Sequence, residues 1–83
     1  MVKGKVQGVW YRVSTRNKAR SLDLTGYVQN EPDGSVLIVA SGFEFALNDL
    51  VTWCWKGPEF SQVADVSFQV ETFRKFDDFT IAR

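Results

Sequence analysis

Gly4-Lys5-Val6-Gln7-Gly8-Val9-Trp10-Tyr11-Arg12 is the stretch on which the fold turns, because an alternating segment stops at a glycine and a helical pattern takes over. Upstream, Val2, Gly4 and Val6 fall on one face and Lys3 and Lys5 on the other, the period of a brief strand over 2–6. Downstream, Tyr11, Thr15, Ala19 and Leu22 recur at helical spacing, with Arg16, Lys18 and Arg20 on a solvated face. The connection therefore runs from a strand into a helix N-terminus. Glycine lets backbone approach a ligand, and a helix start offers unpaired N–H groups and a positive dipole end to an anion. Arg12 in the first helical turn gains nothing from that dipole, so its position is better explained by an anionic ligand that both face. Taken alone, a glycine between strand and helix is more often a plain turn.

Working outward, Leu24-Thr25-Gly26 is expected to end this helix, with Gly26 making the transition to the next strand. Tyr27 to Asn30 and Ser35 to Ser41 read as a hairpin across Glu31-Pro32-Asp33-Gly34, a spelling that fits a type I turn. Val36 to Ala40 is apolar at every position and so predicts a central strand. Ala46, Leu47, Leu50, Val51 and Cys54 form one stripe of a second helix, ended by Gly57-Pro58. Ala64, Val66, Phe68 and Val70 alternate with Asp65, Ser67, Gln69 and Glu71, predicting a strand with one buried face. Phe73, Phe76 and Phe79 are expected to close the core from a last hairpin, with a short final strand at Phe79 to Ala82. No repeat or linker divides the chain. The order predicts a single α+β domain over residues 1–83, a ferredoxin-like βαββαβ sandwich with an antiparallel sheet and two helices on one face.

Eighty-three residues, 45% of them hydrophobic and 14% aromatic, are enough for one small core. Ten basic and ten acidic residues cancel, which removes the long-range field of a nucleic-acid binder and leaves room for a local anion site. Cys54 is the only cysteine, so no intramolecular disulfide forms and a reducing compartment is expected. Without a histidine the usual zinc sites cannot be assembled; Cys54 reads as a small core residue rather than a catalytic thiol, because no histidine exists to activate it. No signal-peptide pattern and no span-length apolar run occurs, so a soluble, cytoplasmic monomer with no membrane or nucleic-acid partner is expected.

The quoted stretch, together with Gly26-Tyr27-Val28-Gln29-Asn30 and Asp33-Gly34-Ser35-Val36, resembles the signature segments of the acylphosphatase family in spelling and separation. Gly57-Pro58 and Phe79-Thr80-Ile81 also fall where that family has equivalents, so the resemblance covers nearly the whole chain. Two departures are visible: family members usually carry several more residues before the first strand, which predicts a short one here, and Trp10 stands where bacterial members often have glycine.

The resemblance implies hydrolysis of acyl phosphates to a carboxylate and inorganic phosphate by direct attack of water, with no cofactor and no metal. That chemistry suits the residues present. A carboxylate leaves without needing a proton, and in a largely dissociative transition state positioning and electrostatic stabilisation of the phosphoryl oxygens suffice. Arg12 offers a planar fork for two of those oxygens, and the backbone N–H groups of Gly8, Val9, Trp10, Tyr11 and Arg12 would complete a phosphate cradle. The resemblance makes Arg12 the phosphate-binding residue and Asn30 the one that positions water. Read by itself, Asn30 is a turn-favouring residue ahead of Pro32. Gln7 would orient the loop through backbone hydrogen bonds. An RNA-binding reading of the same fold lacks the exposed aromatic and basic residues it needs on Ser35 to Ser41. The alternative that remains is a non-catalytic module binding an acyl or carbamoyl phosphate in a larger assembly, as in hydrogenase-maturation proteins.

Overall fold

The computed structural model describes residues 1–69 and 75–82. Its elements follow the order β1 (Val2–Lys5), α1 (Tyr11–Ser21), β2 (Thr25–Asn30), β3 (Val36–Ser41), α2 (Glu44–Lys56), β4 (Gln62–Val66) and β5 (Phe79–Ile81). The sheet runs β4-β1-β3-β2-β5, which places β3 at the centre with β1 beside it, as the apolar run over Val36 to Ala40 predicts. Helix α1 lies over β2 and β5, α2 lies over β4, and the helices touch each other, so both cover one face.

The helical stripes bury as their spacing predicts: Tyr11, Thr15 and Ala19 from α1, and Ala46, Leu50 and Cys54 from α2, meet Val2, Val28, Val36 and Phe79 in the core. The four residues from Glu31 to Gly34 make the hairpin turn, closed by Gly34 N–H donating to the Glu31 carbonyl at 3.1 Å. Burial pushes the Cys54 thiol up to about 11, so it is neutral at ordinary pH, in keeping with a core role.

Three expectations need correction. Gly26 does not end α1 but lies inside β2, opposite Ala40. The helix ends instead in a Schellman turn at Asp23, whose φ is 57°, with Leu24 N–H reaching the Ala19 carbonyl at 2.9 Å and Asp23 N–H the Arg20 carbonyl at 3.1 Å. Gly26 is required for a different reason: with φ at 139°, an added Cβ would stand 1.9 Å from the Val39 carbonyl oxygen.

The strand predicted over Ala64 to Val70 starts and ends earlier, and its faces differ. The register with β1 passes from Lys3↔Asp65 to Gly4↔Val63, so Ala64 is an extra residue in a β-bulge. The added residue shifts the alternation, leaving Val63 and Val66 half-buried, while Ala64 is exposed and Phe68, beyond the strand, is 69% exposed. Val70 and Phe73 lie outside the described residues.

The last strand does not form a hairpin with β4. It sits at the opposite edge, parallel to β2 with Gly26↔Phe79 and Val28↔Ile81 in register, and makes the sheet mixed rather than antiparallel. Phe79 is fully buried and closes the core as expected, whereas Phe76 is half-buried and packs edge-on against Tyr27, on the sheet face opposite Val28. Arg20 fastens this edge to α1: its guanidinium pairs with Asp78 at 2.9 Å and donates to the Phe79 carbonyl at 3.2 Å.

Tyr11 joins the two helices. Its hydroxyl donates to the Cys54 carbonyl at 2.8 Å, one of the last carbonyls of α2 and thus without an intrahelical partner. Tyr11→Phe keeps the ring packed on Trp53 but strands a buried acceptor. Stability is expected to fall by about 1–3 kcal/mol in chemical denaturation, with activity retained at temperatures where the variant is folded. An unchanged midpoint would mean that the Cys54 carbonyl finds another donor.

Candidate active site

The loop between β1 and α1 carries positive φ at alternate residues, 74° at Gly8 and 64° at Trp10, with Val9 between them on the negative side. Such alternation turns successive peptide N–H groups toward a common concavity, the backbone nest that holds anions. Gly8 adopts its value without penalty, whereas a tryptophan in the left-handed region costs about 1–2 kcal/mol. Trp10 is 74% exposed, so no burial of its ring offsets that strain. Its carbonyl opens α1 by accepting from Ser14 N–H at 3.0 Å.

Among the described residues, the N–H groups of Gly8, Val9, Trp10, Tyr11 and Arg12 find no protein acceptor. Five consecutive free donors at a helix start, with no acidic residue in the first turn, make a place for a negative charge. Arg12, on the first turn of α1, likewise makes no hydrogen bond or ion pair among the described residues.

Asn30 ends β2. Because strand side chains alternate, it shares a face with Gly26 and Val28, the face that α1 covers. The turn begins after it: Asn30 pairs with Val36, and the side chain that bonds locally in the turn is that of Asp33, which accepts from Ser35 N–H at 2.9 Å. Asn30 is therefore the last residue of the strand and not a turn residue. The Asn30 Oδ1 atom is buried and has no hydrogen-bond partner among the described residues. An acceptor kept from both water and protein costs about 1–3 kcal/mol, a penalty that sits more often at functional positions than in ordinary core.

Arg12 and Asn30 come together. They line one open depression of about 510 Å³, with Val13, Ile81 and Ala82 completing the wall. Arg12 is the only ionisable group among those five. The three apolar lining residues escape a reading of the sequence. Val13 follows Arg12 and carries no mark of its own, while Ile81 and Ala82 arrive through the parallel pairing of β5, with Ala82 N–H donating to the Val28 carbonyl at 2.8 Å. Gln7 makes backbone hydrogen bonds of the kind expected of it: its Nε2 donates to the carbonyls of Glu31 and Ser35, each at 2.9 Å.

Comparison with known proteins gives consistent results. The family model described as Acylphosphatase matches residues 1–81. An acylphosphatase of Marinobacter nauticus is 51% identical over 80 residues, spanning 95% of this chain and 87% of that protein. Among solved structures, an acylphosphatase from Coxiella burnetii superposes with a TM-score of 0.95 at 40% identity, over 98% of this chain and 85% of the other. An acylphosphatase from Bacillus subtilis superposes with a TM-score of 0.94 at 36% identity, over 99% and 92%.

Proposed function

The chain belongs to the acylphosphatase family, and from that membership we infer that it hydrolyses the carboxyl–phosphate bond of acyl phosphates by direct attack of water. Water adds to phosphorus as the P–O bond to the acyl oxygen breaks; the carboxylate leaves with the bonding pair, and the protons of the water end on the inorganic phosphate. Five free N–H groups from Gly8 to Arg12 and the unpaired Arg12 guanidinium hold the phosphoryl oxygens, and Asn30 aims the water. Rotation of the Asn30 amide about Cβ–Cγ, a soft torsion, exchanges Oδ1 and Nδ2 and brings the acceptor round to take a hydrogen bond from that water.

The observation that carries this reading is that Arg12, whose side chain has no partner among the described residues, and Asn30 line one depression, with the free N–H groups of Gly8 to Tyr11 immediately preceding Arg12 in the chain. The non-catalytic alternative is not favoured, because a relative named as the enzyme matches across 87% of its length and two solved structures so named match across 85% and 92% of theirs. The remaining parts of the proposal are that residues 1–83 act as one domain, as a cytoplasmic monomer, on a small acyl phosphate, without cofactor, membrane or nucleic acid. No helix among the described residues is long and apolar enough to cross a membrane.

With no general acid lining the depression among the described residues, a simple acyl phosphate should be cleaved at least about a hundredfold faster than an alkyl phosphate monoester, whose alkoxide needs an acid. Inorganic phosphate should inhibit competitively, and prolonged chelation should leave the rate unchanged. Equal rates on the two substrates would reveal an acid that the depression does not display, and a chelation loss restored by added metal would reverse the metal-free mechanism.

A further inference from the structure

The phosphate cradle and Asn30 lie on separate elements, and the sheet does little to hold them together. Pairing of β1 with β3 is confined to Val2↔Val36, so beyond Val2 no backbone ladder ties the strand leading into the loop to the hairpin that carries Asn30. One side chain spans that gap. Gln7, the residue before Gly8, sends both N–H bonds of its Nε2 across to the hairpin: one to the carbonyl of Glu31, the neighbour of Asn30, and one to the carbonyl of Ser35. Those two residues already face each other, with Glu31 N–H donating to the Ser35 carbonyl at 2.9 Å, so the amide clamps the point where the hairpin closes. Among the described residues it is the only side-chain hydrogen bond from the loop to this turn.

We infer that Gln7 is a positioning residue, which sets the separation between bound phosphoryl group and attacking water by fixing the cradle loop to the strand end that bears Asn30. The inference rests on the roles proposed above for Arg12 and Asn30. In-line attack demands that nucleophile and phosphorus be held within a narrow distance, and a displacement of the order of 1 Å costs roughly a hundredfold in rate. The cradle's own donors and Arg12 lie on the loop and α1, so they move as a unit and keep their hold on phosphate when the strap is lost. A residue acting only through the strap therefore separates kcat from phosphate affinity.

The test uses Gln7→Met, which is of similar length and has no donors, and Gln7→Ala, read in the same way if the methionine variant does not fold. Turnover of acetyl phosphate is expected to fall by about tenfold or more while the Kd for inorganic phosphate stays within about twofold. In an Asn30→Ala background the same change is expected to alter kcat by less than about twofold, because the residue it positions is gone. The inference is overturned if kcat is unchanged, if phosphate affinity falls in step with kcat, or if the full loss persists without Asn30. Loss of activity in both Arg12→Ala and Asn30→Ala beside a fully active Gln7→Met refutes the strap alone, whereas parent-like Arg12→Ala and Asn30→Ala refute the site reading beneath it.

Discussion

Arg12→Ala is expected to lower turnover of an acyl phosphate by on the order of a thousandfold or more, and to weaken inorganic phosphate binding at the same time. Among the described residues the guanidinium is the one charge lining the depression, and in the proposed mechanism it meets the phosphoryl group in the ground state and in the transition state alike. Removing it withdraws two charge-assisted hydrogen bonds where charge accumulates on the equatorial oxygens, so both measurements must move. Stability should stay within about 0.5 kcal/mol of the parent, because Arg12 has no hydrogen bond or ion pair among the described residues to lose. Arg12→Lys grades the effect: charge is kept but the fork is lost, and about ten- to a hundredfold of the rate should go with it. A lysine variant as active as the parent would shift the work of holding phosphate onto the backbone donors.

Asn30→Ala should fail differently. Water is aimed only for the chemical step, so turnover is expected to drop by about a hundredfold while phosphate binds nearly as in the parent. The structure adds a second signature. Because Oδ1 is buried without a partner among the described residues, deleting the amide removes an unsatisfied acceptor, and the unfolding midpoint should hold or rise, with a gain of up to about 1 kcal/mol. Asn30→Asp is the companion variant: its carboxylate would still orient water but repel the phosphoryl oxygens, so affinity falls as well. Calorimetry with inorganic phosphate beside turnover of acetyl phosphate separates these cases. If Asn30→Ala turns over like the parent, this residue does not position the water.

Both helices were legible in the sequence because each buries a stripe whose spacing is local, from Tyr11 to Ala19 and from Ala46 to Cys54. The loop was legible for the same reason: Gly8 and a cation in the first helical turn are neighbours in the chain. What escaped depends on distant partners. The bulge at Ala64 exists only against Lys3 and Gly4, and nothing within residues 62–66 announces it. Asp23 ends α1 in place of a glycine, since an aspartate tolerates the left-handed region and frees Gly26 for its close approach to Val39. Ile81 and Ala82 reach the depression through a parallel pairing that leaves no trace in local alternation. The burial of Asn30 Oδ1 is likewise a property of what packs over β2, invisible in the residue itself.

The placement of β5 also fixes when, during synthesis, the depression acquires its walls. A chain made from its N-terminus can form α1 and the β2–β3 hairpin early, bringing Arg12 and Asn30 into being well before Phe79 to Ala82 leaves the ribosome. Yet the edge of β2 stays unpaired, and the depression has no wall of Ile81 and Ala82, until that last segment docks beside Val28. Pairing across so long a stretch of chain is slow compared with helix and hairpin formation, because loop closure must come first. A nascent chain thus displays the loop from Gly8 to Arg12 before it has a finished pocket, and the final strand acts as the step that completes it.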